Sequence, residues 1–119
     1  MNKKRVNDYL LKAKDALIKT GIAKDGKIDK TYRSQISSFG AAVVMGSLPA
    51  AVAFFSSQGG ATVERQKLIK AMYYCIFDEM KDEKEILEFV CEKNSIELKE
   101  QITDASIALK LAMNFYDLV

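Results

Sequence analysis

Apolar positions recur along this chain at three- and four-residue steps, the period of helices that pack on one side. Residues 3–19 set the pattern. Val6, Leu10, Ala13 and Leu17 form a stripe, with Tyr9 and Ala16 beside it, while Lys3, Lys4, Lys12, Lys14 and Lys19 lie mostly off it. Gly21, one past Thr20, is a natural left-handed terminator. The Asp25-Gly26 pair that follows favours a turn. Asp29 can cap a second helix starting near Lys30, with Tyr32, Ile36, Phe39, Val43 and Val44 as its apolar positions. Gly46-Ser47-Leu48-Pro49 breaks it. Proline cannot donate a backbone hydrogen bond, fits a helix's first turn and disfavours helix at the residue before it. Ser47 therefore reads as the N-cap of a third helix over residues 48–57.

Residues 58–61 read as a loop, and Thr62 as the cap of a fourth helix over 63–80. Leu68, Ala71, Met72, Cys75 and Ile76 map its apolar face, broadened by Tyr73, Tyr74 and Phe77. Asp82 followed by Glu85 is a variant of the capping box. It opens a fifth helix, ending near Asn94, that carries Ile86, Leu87, Phe89 and Val90. Residues 96–102 read as a short helical turn. Thr103 or Asp104 then caps a last helix with Ile107, Leu111 and Phe115 inward, alongside Ala108, Leu109, Ala112 and Leu118. No strand alternation of useful length occurs. The pattern predicts an all-α fold: one domain over 1–119, a single compact bundle of five to seven helices around a central helix–break–helix.

Residues 34–63 contain no charge, in a chain where charged residues are 29% of the total. Such a run is either a buried core or a membrane span. The eight Leu, Ile, Val and Phe residues from Ile36 to Phe55 offer roughly −2.5 to −5 kcal/mol at a bilayer centre. Against them stand Ser37, Ser38, Gly40, Gly46, Ser47 and Pro49, and the break would expose unpaired backbone groups to lipid. Each half is also shorter than the roughly 20 residues a span needs. The run reads as core.

Composition narrows the chemistry. One proline and six glycines suit helices. The absence of histidine removes the commonest acid–base group and metal ligand. No phosphate loop, nucleophile elbow or metal-spaced cluster occurs. The acidic stretch 78–85 reads as a solvated helix end. No catalytic residue, metal ligand or cofactor is expected, and the chain reads as a non-enzyme. Cys75 and Cys91 lie in apolar runs and read as two buried free thiols. With no apolar h-region behind the basic N-terminus, they point to the cytoplasm.

Net charge is +2 but unevenly spread. Residues 1–33 hold ten Lys/Arg against four Asp/Glu; residues 78–119 hold five against eleven. A basic front suits an anionic partner, and an acidic rear suits contact between copies.

Tyr32-Arg33-Ser34, an apolar helix, Gly46-Ser47-Leu48, then Ala51-Val52-Ala53-Phe54 and polar Ser56-Ser57-Gln58 resemble the small all-helical subunit of the Cmr complex, the type III-B CRISPR effector. The aromatic-rich tail from Ala108 to Tyr116 extends the resemblance over most of the chain. The equivalent type III-A (Csm) subunit is the near neighbour. The family tends to place proline near the position of Gly40 and leucine directly after the glycine; here Ser47 intervenes and Pro49 is extra.

The resemblance implies a non-catalytic structural subunit of a ribonucleoprotein. Copies would stack as a filament beside the other Cmr subunits, along the channel for guide and target RNA, in antiviral defence. Candidate contacts to the RNA backbone are Lys30 and Arg33, then Arg65, Lys67 and Lys70, then Lys3, Lys4 and Arg5. The competing expectations are a helical adaptor unrelated to CRISPR, a small membrane protein, and a helix-turn-helix DNA binder. The last is disfavoured because the helix after the break carries no Arg or Lys.

Overall fold

The computed structural model describes residues 1–57 and 63–119. The loop expected at 58–61 and the cap expected at Thr62 lie outside the described residues. Helix α1 (Lys3–Lys19) starts on Asn2, whose side chain accepts the Arg5 N–H, and stops at Thr20, with Gly21 at φ +78°. The connector is a small hairpin. β1 (Ala23–Lys24) pairs antiparallel with β2 (Lys27–Ile28) around Asp25 at φ +54° and Gly26 at φ +76°. Two successive left-handed residues match the twist of a tight hairpin. A third strand, β3 (Asp117–Leu118), pairs parallel with β2, giving the order β1-β2-β3. The turn is legible in the sequence; strands of two residues leave no alternation to read.

Helix α2 (Thr31–Met45) follows Lys30, and the carboxylate of Asp29 just before it accepts the Thr31 N–H at 2.9 Å. Helix α3 (Leu48–Ser56) opens on Ser47, whose Oγ accepts the Ala50 N–H at 3.2 Å, with Pro49 in its first turn. Helix α4 (Gln66–Phe77) is shorter at both ends than expected and stops where Asp78 turns left-handed at φ +57°. Helix α5 (Glu83–Glu92) is capped by Asp82. The turn expected at 96–102 and the separate last helix are instead one helix, α6 (Ile96–Ala112), capped by Ser95 and followed by a 3₁₀ turn, Met113–Phe115.

The architecture is a helical bundle with one continuous core. The Cα radius of gyration is 12.8 Å, against about 13.5 Å for a domain of this length. Helix α6 packs on α1, α4 and α2, while α3 packs on α5, α2 and α4. Phe39 of α2 meets Phe55 of α3 edge-to-face at 5.3 Å between ring centres, which locks the two sides of the break together. Ile36, Phe39, Val43, Leu48, Val52 and Phe55 are buried as the pattern predicts. Val44, Met45 and Phe54 are exposed, so an uncharged run is not a wholly buried one. Among the described residues no helix is long and apolar enough to cross a membrane.

Two expectations are corrected here. In α6 the buried stripe is Leu98, Ile102, Ala105, Ala108, Leu109 and Ala112, while Leu111 and Phe115 are about half exposed. Helix α1 packs on α6, and small residues are fully buried on both, Ala13 and Ala16 on α1 and Ala105, Ala108 and Ala112 on α6, which lets the two backbones come close. Of the two thiols, Cys75 is buried, and desolvation pushes its pKa up to about 12. Cys91 is exposed, on the outer side of α5.

Candidate nucleic-acid interface

The first turns of α2 and the last turns of α6 lie side by side and leave an open groove of about 500 Å³ between them. It is lined by Lys30, Thr31, Arg33, Ser34 and Ser37 from α2 and Lys110 from α6. The lining carries three cations, three hydroxyls and no acid. Arg33 is held in place: its Nη1 donates to Asn114 Oδ1 at 3.0 Å, tying α2 to the 3₁₀ turn one helical turn beyond Lys110. Phe115, in the same turn, faces the Lys14 ammonium at 4.7 Å, and the Tyr116 hydroxyl donates to the Lys14 carbonyl at 3.1 Å.

Hydrogen bonding by the Thr31 N–H holds the Asp29 carboxyl below its usual pKa, so the α2 N-terminus already has its anion. Attraction for an external anion must come from the Lys30, Arg33 and Lys110 side chains. Of these, Arg33 is held by Asn114, while Lys30 lies on exposed surface; cations without base-reading groups suit contact to a phosphate backbone rather than to base edges.

The structure brings Lys30 and Arg33 together as the sequence suggests. It separates them from the other candidates. Arg65 is the clearest correction, being only 7% exposed. Its Nε and Nη2 donate to the Ser57 carbonyl and Oγ at 3.1 and 3.2 Å, and its guanidinium lies 4.3 Å from the Phe54 ring centre. It is an internal brace between α4 and the end of α3. Lys67 is paired with Glu64 at 2.7 Å, and Lys70 with Glu83 at 3.4 Å. Arg5 is engaged with Asp104 at 3.2 Å, a carboxylate only 2% exposed that also accepts the Asn2 N–H at 3.3 Å. Lys3 and Lys4 are exposed on the first turn of α1.

Lys110 joins the groove although the sequence pattern does not single it out: phasing the last helix with Leu111 inward hides its position. Ser95 as a cap, read together with the small-residue spacing Ala105, Ala108 and Ala112, gives the correct phase and turns Lys110 toward α2.

Among the described residues, no group of three or more His, Cys, Asp or Glu side chains is gathered closely enough to hold a metal ion. Comparison with protein-family models, curated proteins and solved structures returns no match for this chain.

Proposed function

We propose that the chain is a non-catalytic structural subunit of a type III-B (Cmr) CRISPR ribonucleoprotein, and that its α2–α6 groove holds the sugar–phosphate backbone of guide or target RNA. One observation carries this: two residues of the Tyr32-Arg33-Ser34 region on which the resemblance rests, Arg33 and Ser34, line an acid-free groove with Lys30 and Lys110. Sequence is left to base pairing with the guide, and the protein supplies cations. Copies stack beside the larger subunits in the cytoplasm.

Charge reversal at Lys30 and Arg33 together tests the groove. RNA binding by the assembled complex should weaken. Its dependence on log salt should flatten by about 1.4, which corresponds to two lost phosphate contacts on a single strand. Unchanged affinity and slope would overturn the assignment.

A helical adaptor is the second reading. It draws on a separate groove of about 500 Å³ that includes Met1, Val44 and Ile96, three exposed apolar side chains. It predicts a monomer or closed dimer that carries no guide RNA.

A further inference from the structure

We infer that Phe115 is a stacking platform for one unpaired nucleobase of a strand held in the α2–α6 groove; this rests on the groove holding a nucleic-acid backbone, as proposed above. Phe115 is 51% exposed, yet its position is set from both sides. Met113, two residues before it, is fully buried, and the Tyr116 N–H donates to the Met113 carbonyl at 3.1 Å, closing the 3₁₀ turn. Beyond it, the Tyr116 hydroxyl donates to the Lys14 carbonyl, and β3 pairs with β2. The ring is therefore an aromatic surface held out to solvent by a turn that is tied down at both ends. Asn114, the residue before Phe115, is the one that holds the Arg33 guanidinium. Consecutive Cα atoms lie about 3.8 Å apart, so the edge of the cationic groove and the ring share one corner of the molecule.

The charges around the ring point to a nucleotide rather than to an apolar protein surface. The Lys14 ammonium lies 4.7 Å from the ring centre, and among the described residues no carboxylate pairs with it. An apolar surface laid over Phe115 would strip water from that ammonium and leave it unpaired, which is costly. A nucleotide brings a planar base for the ring and a phosphate for the cations. Proteins that hold single strands combine these two parts, a cationic groove along the backbone and aromatic side chains under the bases. A base inside a duplex is already paired and stacked, so the contact takes an unpaired nucleotide, and it tolerates any base because every base has a π-face.

The chain has no tryptophan, so Phe115→Trp places a single indole at the platform and keeps an aromatic face there. Oligouridine RNA, and a strand of the same length with every base replaced by an abasic residue, are titrated with the full chain at low fixed salt. Binding is read from the anisotropy of a label on the strand, and stacking from the tryptophan emission. Oligouridine should quench that emission as it binds. The abasic strand, which keeps the phosphates, should bind without quenching. The parent chain should bind oligouridine at least about fivefold more tightly than the abasic strand, the lower end for stacking of one base. Phe115→Leu should shrink that gap. The comparison in the parent needs no variant, so it holds even where a substitution disturbs the turn. Equal affinity of the parent for both strands, equal quenching by both, or a gap that survives in Phe115→Leu would overturn the platform and leave the ring to a protein partner, with the cationic groove intact. If neither strand binds, or if the Lys30 and Arg33 charge reversal binds both as the parent does, the groove assignment itself falls, and this inference with it.

Discussion

Arg33 and Arg65 have the same side chain in opposite surroundings. Arg65 is enclosed by Phe54, Phe55 and the two acceptors of Ser57, so its charge serves the fold. Arg33 has one neutral partner, Asn114, which orients the guanidinium without neutralising it. That difference depends on what the fold brings within reach, and no local pattern around either residue encodes it. The same holds for Asp104, which looks like a helix cap in the sequence but is the buried partner of Arg5, 99 positions away.

At Tyr74 the chemistry is testable by pH. Its hydroxyl donates to Asp15 Oδ2 at 2.7 Å, and that bond, helped by burial, raises its pKa from 10 to about 12. The protonated form is favoured in the fold. Its contribution to stability is therefore complete below pH 10 and is lost as pH rises through about 12. Chemical denaturation followed across that range should show a fall in stability that is smaller in Tyr74→Phe. A fall of the same size in the variant would show that the bond does not matter. Tyr9, Tyr32, Tyr73 and Tyr116 shift in the same direction, chiefly through burial, so the fall should shrink rather than vanish.

At the scale of elements, start and stop signals were the most legible part of the chain. Asp29, Ser47 and Asp82 all accept backbone N–H groups where the sequence places caps, and Gly21 terminates α1. These signals are local chemistry, so they survive without tertiary knowledge. Helix phase was less legible where large and small apolar residues compete, as in α6, because interhelical distance decides which face is buried. The α6 start was missed for a related reason: Thr103-Asp104 offers a second cap-like pair inside a helix already begun at Ser95. Ser95 Oγ accepts the Leu98 N–H at 3.1 Å. Ser95→Ala should lower stability by about 1 kcal/mol, read from the urea midpoint. No change would mean that α6 begins later, nearer the position first expected.

Across the whole molecule, the charge asymmetry along the sequence does not become two charged ends. Helix α1 lies against α6, and β3 returns to β2, so the basic front and acidic rear are neighbours. Two front cations are matched with rear carboxylates: Arg5 with Asp104, and Lys12 with Asp78 at 3.9 Å. The cationic groove gathers Lys30 and Arg33 from one part of the chain and Lys110 from another, 77 positions on from Arg33. Composition indicated an anionic partner, but only the packing of α2 on α6 indicates where it would bind.

If the chain works inside an RNA-guided complex, as proposed, it should co-purify with one. A tagged copy expressed at native level in its own cells, recovered at moderate salt, should bring down larger subunits together with short guide RNA of defined length. Recovery of the chain free of RNA, as a monomer or closed dimer, would instead favour the helical adaptor.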